Sequence, residues 1–349
     1  YAALGLELLL ERGAGLASYY PDDDYTAAGL VDDAAAAFAA DLVLTVRPPA
    51  PERVALLREG AVLVGLLDPY READTVRALA GRGVTSFALE LLPRISRAQA
   101  MDALTSQASV AGYKAVLIAA GLAPRDFPML TTPAGTIRPS KVLVLGVGVA
   151  GLQAIATARR LGAMVEAYDV RQATKEQVQS LGGRFIDTGI DAEVEGGYAR
   201  ELTAEEKARA AAVVADHVAA ADAVITTAAV PGRAAPRLID AATVGRMKPG
   251  AVIVDLAAEG GGNCELSRPG ERVEHDGVVI ECPFNVPALL PVHASEQYAR
   301  NLLNFVTPLV ADGELALDWD DEVVAGSVLT RDGHIANDAV RERIEGGLS

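Results

Sequence analysis

The sequence predicts an α/β protein with two Rossmann-like domains, each with a parallel, doubly wound sheet, separated by a cleft. Half of the 349 residues are apolar and only 5% are aromatic, which is enough for two cores packed mainly from Ala, Val and Leu. Short β-like runs alternate with helical stretches, as in strand-helix-strand units. We place a discontinuous first α/β domain at residues 1–111 plus 296–349 and a second domain at residues 112–295.

The first domain contains three predicted strands, at residues 42–46, 61–66 and 84–88. Three prolines between residues 48 and 51 end the first strand and place a loop at the carboxyl edge of the sheet, which usually faces a ligand. Residue 1 already lies in a helical pattern, so we expect a further strand before it. We also expect the β-rich tail after a helix at residues 296–309 to return to this domain.

A long connecting helix is predicted at residues 96–122. Five predicted strands follow it, at residues 142–145, 164–169, 184–186, 223–227 and 251–255. Thr203 and Glu206 form a capping-box pattern, so a helix through His217 is expected to begin there. The preceding residues 187–200 are a candidate mobile flap, although an ordinary solvated connection fits their composition equally well.

Charge and composition exclude several classes of function. A net charge of −16 opposes binding to nucleic acid or to an anionic lipid surface. The apolar runs are far shorter than the roughly 20 residues that cross a bilayer. Cys264 and Cys282 have no second Cys or His at metal-ligand spacing, so no metal site is predicted and both thiols are expected free in a reducing cytoplasm.

A glycine-rich turn follows the strand at residues 142–145. Gly146 permits a tight turn, Gly148 lets the backbone approach a pyrophosphate, and Gly151 lets the following helix, expected at residues 152–161, pack on the strand. The pyrophosphate would lie at the helix N-terminus, where free N–H groups and the helix dipole favour an anion. Strand, turn and helix in this order predict a dinucleotide site.

Asp169 ends the next strand, where a carboxylate can accept hydrogen bonds from the hydroxyls of an adenosine ribose. It would repel a 2′-phosphate, which favours NAD(H) over NADP(H), although Arg171 could offset part of that repulsion. The residues 112–295 are therefore predicted to be an NAD-binding Rossmann domain. The other candidate cofactor contacts flank the turn, Asp169 and the ends of later strands: Val149, Ala150, Val170, Thr227, Ala228, Leu256 and Asn263.

Several motifs in order resemble one family, the soluble NAD(H)-binding first domain, or alpha subunit, of proton-translocating NAD(P) transhydrogenase, a relative of alanine dehydrogenase. The resemblance covers nearly the whole chain. It is carried by residues 93–102 (PRISRAQAMD), 111–113 (AGY), 146–151 (GVGVAG), 195–198 (EGGY), 226–227 (TT) with 231–232 (PG), and 261–264 (GGNC).

The resemblance implies roles for residues of the first domain. Arg94, Gln99 and Asp102 correspond to residues that hold the nicotinamide and its ribose, and Thr105 stands where the family has a serine. Tyr198 corresponds to a tyrosine of a mobile loop that closes over the nucleotide. Taken alone, the three-residue spacing of Gln99, Asp102 and Thr105 predicts one polar helix face, and such a face is usually only solvated.

The residues also separate the two branches of the family. Alanine dehydrogenases have a lysine in the strand before the first proline loop and a histidine on the next strand, since oxidising an amino acid requires proton transfer. Here the first of these regions contains Arg47, a poor base, and no histidine precedes His217. Direct hydride transfer between two nicotinamides needs positioning and exclusion of water but no acid or base.

The resemblance therefore implies a transhydrogenase subunit that binds NAD(H), while a partner NADP(H)-binding domain or beta subunit receives the hydride. It further implies a homodimer and a proton-conducting membrane subunit, with this chain cytoplasmic and peripheral on the inner face of the cell membrane through its partners. Two alternatives stay open: an alanine dehydrogenase-like enzyme that has replaced its Lys and His, and a non-enzymatic NAD-binding module.

Overall fold

The structure is a computed structural model that describes residues 1–189, 203–230 and 232–346. The strands are β1 (Leu9–Glu11), β2 (Gly29–Val31), β3 (Leu42–Thr45), β4 (Val62–Gly65), β5 (Thr85–Ala88), β6 (Leu130–Thr132), β7 (Gly135–Ile137), β8 (Lys141–Leu145), β9 (Met164–Tyr168), β10 (Arg184–Phe185), β11 (Ala223–Thr226), β12 (Val252–Asp255), β13 (Arg272–His275), β14 (Val278–Glu281), β15 (Val310–Ala311), β16 (Glu314–Leu315), β17 (Val328–Arg331) and β18 (His334–Ile335). The α-helices are α1 (Ala34–Phe38), α2 (Pro51–Val54), α3 (Ala73–Gly81), α4 (Ala103–Leu122), α5 (Val149–Arg160), α6 (Thr174–Ser180), α7 (Ala204–Ala220), α8 (Ala241–Val244), α9 (Pro291–Val306), α10 (Glu322–Ser327) and α11 (Asp338–Gly346).

The chain divides into two compact units, and the first comprises Tyr1–Gln107 and Pro291–Ser349. Its main sheet has the strand order β18-β17-β5-β4-β3, in which β3, β4 and β5 are parallel. Strand β17 pairs antiparallel with β5, which confirms that the C-terminal tail returns to the first sheet. Alternate residues of β4 enter opposite cores, with Leu63 on one face and Val62 and Val64 on the other.

The second unit, Ala108–Leu290, contains a sheet with the order β10-β9-β8-β11-β12-β14-β13. All neighbouring pairs are parallel except β13 with β14. Numbered from β8, the parallel strands follow the order 3-2-1-4-5-6 of a Rossmann fold. The order reverses between β8 and β11, and ligands bind at the carboxyl ends of strands at such a point.

The sheet of the second unit is buried on both faces. Val142 and Val144 pack in one core with helices α4 and α5, while Leu143 and Leu145 pack in the other with α7. All four are almost fully buried, and each such side chain contributes about 1.5–3 kcal/mol of transfer free energy. The strands are continuous apolar runs because neither face of the sheet meets solvent.

The expected fold class and the predicted strands are confirmed, but two helices differ from the prediction. The single helix expected from residue 96 is wrong: a 3₁₀ helix, Ser96–Met101, ends at Asp102 and α4 begins after it. The helix after the glycine turn begins at Val149 instead of residue 152. The predicted capping box is confirmed, since Thr203 and Glu206 each bond to the other's backbone N–H.

Two further findings concern the described residues as a whole. None of the helices in the described ranges has the length and apolar character that crossing a bilayer requires. The same ranges contain no cluster of three His, Cys, Asp or Glu residues arranged to hold a metal ion. Cys264 and Cys282 are both buried thiols, and burial raises the pKa of each.

Candidate nucleotide-binding site

Two of the three glycines after β8 are required by the protein's own packing. Gly146 has a φ of 94°, and its N–H donates to the carbonyl oxygen of Tyr168 at the end of β9. A Cβ on Gly151 would lie 1.9 Å from the carbonyl oxygen of Gly146, so any side chain there would force helix α5 away from the turn. These two residues set the tight turn and the close packing of helix on strand.

Gly148 is different, because nothing in the protein requires a glycine there. Its φ of −83° is available to any residue, and a Cβ would meet no heavy atom within 4 Å. The residue is exposed, and it directly precedes α5 as the N-cap. A Cβ would thus enter the open space over the helix N-terminus, the space that a dinucleotide pyrophosphate requires. The turn fits the predicted cofactor.

Asp169 follows β9 and is almost fully buried beside the turn. Its Oδ2 accepts from the Val147 N–H at 2.8 Å and its Oδ1 accepts from the Arg171 N–H at 2.9 Å. The guanidinium of Arg171 adds hydrogen bonds to both oxygens, at 2.9 and 3.0 Å. Burial works against ionisation, but the bonds from Arg171 and Val147 outweigh it and lower the pKa of Asp169. The carboxylate is therefore charged at neutral pH.

The opposite wall of the turn is formed by the end of β11. The Thr227 hydroxyl donates to the carbonyl oxygen of Gly146 at 3.0 Å, and a Cβ on Gly146 would lie 2.8 Å from the Ala228 nitrogen. Thr227 and Ala228 are half-buried. They therefore lie directly against the turn, at the point where the strand order reverses.

Asn263 is completely buried and bonds to the backbone around Ala228. Its Oδ1 accepts from the Ala228 N–H at 3.0 Å, and its Nδ2 donates to the carbonyls of Ala228 and Pro236, both at 2.8 Å. Asp255, also fully buried, accepts from the Asn263 N–H and from the Thr226 hydroxyl, both at 2.8 Å. In this arrangement Asn263 shapes the wall of the site and presents its polar atoms to the protein.

The remaining predicted contacts lie around the same turn. Val149 and Val170 are exposed apolar side chains, whereas Ala150 and Leu256 are half-buried. Val149 and Ala150 belong to the first turn of α5, and Leu256 directly follows β12. Tyr198 lies outside the described residues.

In the first unit, Asp102 organises the start of α4. Its Oδ1 accepts from the Thr105 N–H at 2.9 Å, and its Oδ2 accepts from the Thr105 hydroxyl at 2.6 Å. An aspartate that bonds the N–H three residues later caps a helix, which explains why α4 begins here and not at residue 96. Arg94 and Gln99 are exposed on the same segment. Asp102 and Thr105 thus form one hydrogen-bonded pair.

Sequence analysis did not identify the residues that hold this segment in place. Arg97 forms a two-pronged ion pair with Asp321, at 2.7 and 2.5 Å, and Asp321 also caps α10 through the Val323 N–H. From α9, the side-chain amides of Asn301 and Asn304 both donate to the carbonyl oxygen of Ala100, at 2.9 Å. Arg97 lies inside the recognised motif, but its partners are about 200 residues away in sequence and no local pattern indicates them.

The carboxyl edge of the first sheet contains one strongly buried acid, Glu90. Its two oxygens accept from the Leu67 and Asp68 N–H groups, at 3.1 and 2.7 Å. Burial raises the pKa of Glu90. Nearby, the Tyr298 hydroxyl donates to the Thr45 carbonyl and accepts from the Leu66 N–H. These groups fix the loop after β4, and both oxygens of Glu90 are engaged by backbone.

Two family models match the chain, and together they span most of it. The N-terminal domain of alanine dehydrogenase/PNT matches residues 1–111, and the C-terminal domain matches residues 115–338. The chain belongs to the alanine dehydrogenase/PNT family. This family is an NAD-linked oxidoreductase family with a Rossmann-like fold, in agreement with the glycine turn and strand order described above.

Within this family the chain is more similar to transhydrogenases than to alanine dehydrogenases. It is 49% identical to the first of the polypeptides that form the NAD(P) transhydrogenase alpha subunit of Rhodospirillum rubrum, over 97% of this chain and 91% of that protein. A solved structure of transhydrogenase from Sinorhizobium meliloti superimposes with a TM-score of 0.85 at 45% identity, covering 97% of this chain and 92% of the other. The alanine dehydrogenase of Mycolicibacterium smegmatis is 30% identical, with 98% and 89% covered.

Proposed function

We propose that this chain is the NAD(H)-binding subunit of a proton-translocating NAD(P) transhydrogenase. In this proposal it presents NADH to NADP⁺ bound on a partner subunit, and a hydride passes directly between the two nicotinamides. The observation that carries the proposal is a dinucleotide turn with a free space at Gly148, in a chain without the Lys and His of the related amino-acid dehydrogenases. The greater identity to transhydrogenase alpha subunits supports the same choice.

The second unit supplies the residues that would hold the cofactor. The N–H groups at the start of α5 face the pyrophosphate, Asp169 takes the adenosine ribose, and Thr227 and Ala228 border the turn. Val149 and Val170 offer apolar surface beside them. When bound, NADH supplies the hydride. The protein's task in this half is binding and orientation.

The first unit supplies the candidate residues for the nicotinamide half. Asp102 and Thr105 hold each other in one geometry, and the Arg97 to Asp321 ion pair fixes the segment that also carries Arg94 and Gln99. Hydride transfer between two rings demands positioning more than proton transfer. A rigid polar segment without a titrating base suits that demand, and Tyr198 is proposed to belong to a loop that closes over the nucleotide.

The proposal includes the assembly in which this activity would occur. The chain acts as a homodimer with an NADP(H)-binding domain or beta subunit and a proton-conducting membrane subunit, which holds it at the inner face of the cell membrane. The relative from Rhodospirillum rubrum is named as only one portion of an alpha subunit, which supports the presence of partner subunits.

Two assays separate this proposal from the alternatives. The chain alone is given pyruvate, ammonia and NADH, and then NADH and an NADP⁺ analogue with a purified NADP(H)-binding domain. We expect no oxidation of NADH in the first assay and reduction of the analogue in the second. Turnover with pyruvate would instead identify an alanine dehydrogenase-like enzyme. Binding of NADH with no reaction in either assay would identify a non-enzymatic NAD-binding module.

A further inference from the structure

The carboxylate of Asp169 has its full complement of hydrogen bonds from the protein itself. A carboxylate offers about four acceptor positions, and four N–H donors occupy them here: those of Val147 and of the Arg171 backbone, and two from the Arg171 guanidinium. The adenosine ribose of a dinucleotide would need two of these positions for its hydroxyls. Two of the present donors must therefore leave before the ribose can bind.

The two backbone donors belong to the turn after β8 and to the segment that follows β9, so they are fixed by the fold. The guanidinium is the part that can move. Arg171 has a side chain that is 40% exposed, while that of Asp169 is 8% exposed, so Arg171 can rotate into solvent without opening the core. Its Nε donates to one carboxylate oxygen and its Nη2 to the other.

We propose that the guanidinium of Arg171 occupies the place of the ribose diol and is displaced when the nucleotide binds. A planar fork that donates one hydrogen bond to each oxygen matches two adjacent hydroxyl donors on a ribose. The ion pair neutralises Asp169 before binding, and the ribose exchanges two hydrogen bonds for two. This inference rests on the proposed function, because it concerns how the same site admits NAD(H).

The displacement has a measurable consequence for affinity. Breaking a partly buried, two-pronged ion pair opposes binding, so removing the guanidinium strengthens binding of any ligand whose hydroxyls need Asp169. With an ion pair of this exposure we expect a gain of roughly 3- to 10-fold. A ligand without the diol does not need the exchange and gains little.

Calorimetric titration tests the proposal with 5′-AMP and 2′,3′-dideoxy-5′-AMP as ligands. The proteins are the full chain, Arg171→Ala, Arg171→Lys, which keeps the charge but not the fork, and Arg246→Ala as the matched control. Arg246 forms an exposed ion pair with Asp216 in the same unit. We expect Arg171→Ala to bind 5′-AMP roughly 3- to 10-fold more tightly and the dideoxy compound unchanged, with Arg171→Lys intermediate and Arg246→Ala equal to the parent.

Weaker or unchanged binding of 5′-AMP by Arg171→Ala would overturn the proposal, and so would an equal gain for both ligands. If Arg171→Ala does not fold, the same comparison is decided by Arg171→Lys. Failure of the unmodified chain to bind NADH contradicts the proposed function instead. The two failures are distinguishable, because the first is a ratio between variants and the second concerns the parent chain.

Discussion

A Cβ on Gly112 would lie 2.1 Å from the carbonyl oxygen of Ala150, and 2.8 and 2.9 Å from its carbonyl carbon and Cα. Helix α4 therefore meets the first turn of α5 backbone to backbone. Ala150 belongs to the helix N-terminus that is proposed to receive the pyrophosphate. One small residue in α4 thus sets the position of the anion-binding end of α5.

Gly112→Ala is expected to destabilise the second unit by about 1–3 kcal/mol, since the backbone atoms it meets cannot rotate away. NADH affinity should fall with it, because α5 moves. Gly121→Ala is the matched control in the same helix, where a Cβ meets nothing within 4 Å. It should be neutral or stabilise by up to about 1 kcal/mol. Urea unfolding checks both, and equal stabilities would contradict the described contact.

Gly148→Ala and Gly151→Ala should separate binding from folding. The first puts a Cβ into open space, so we expect parental thermal stability but NADH affinity lower by about tenfold or more, because the methyl group occupies the pyrophosphate space. The second clashes with the carbonyl of Gly146 and should lower the unfolding temperature itself. Calorimetry and thermal unfolding measure the two effects. Unchanged NADH affinity in Gly148→Ala would argue against this turn as the cofactor site.

The Arg97 to Asp321 ion pair should make the first unit sensitive to acid. The Arg97 guanidinium lowers the pKa of Asp321 to about 2, so the charged form is favoured in the folded state. Its stabilising contribution is complete above the unfolded pKa of about 4 and is lost as pH falls toward 2. Asp321→Asn should therefore be less stable than the parent at pH 7, and the two should converge between about pH 4 and pH 2.

That convergence is measured by chemical unfolding at a series of pH values. Asp320→Asn, the exposed neighbour, is the control and should follow the parent at each pH. A stability difference for Asp321→Asn that stays constant down to about pH 2 would show that the ion pair does not have the described effect.

The second unit could be predicted largely from sequence because its signals are local. The strand at β8, the Gly146 to Gly151 turn and the acid at Asp169 follow one another within about one βαβ unit, and each has its own residue pattern. The strands are apolar runs buried on both faces, which a pattern shows directly. Their order required only the rule that such units are wound in one direction.

What sequence could not show depends on contacts between particular side chains. Asp169 was predicted to be open to a ribose, whereas Arg171 already occupies it, a matter of rotamer and not of pattern. Asn263 was predicted to reach the nicotinamide half, whereas its amide bonds to the backbone near Ala228. The break at Asp102 was missed because helix-forming composition on both sides hid the cap.

Thr105 should need its hydroxyl but not its methyl group. The hydroxyl donates to Asp102 at 2.6 Å, so Thr105→Ser keeps that bond and Thr105→Val removes it at nearly constant volume. In the reconstituted enzyme we expect a rate near the parental one for Thr105→Ser and a rate lower by roughly tenfold for Thr105→Val, with NADH affinity changing less. Single-turnover kinetics gives the rate, and equal rates for the two variants would remove Thr105 from the proposed site.

Direct transfer of hydride is the central claim, and isotope tracing tests it. The full chain is combined with the NADP(H)-binding domain, NADH deuterated at the transferred position of C4, and an NADP⁺ analogue, all in ordinary water. We predict that the reduced analogue carries the deuterium at C4 in near-stoichiometric amount, because no proton exchange with solvent intervenes. A reduced analogue that carries hydrogen from water, or no reduction although both nucleotides bind, would contradict the account.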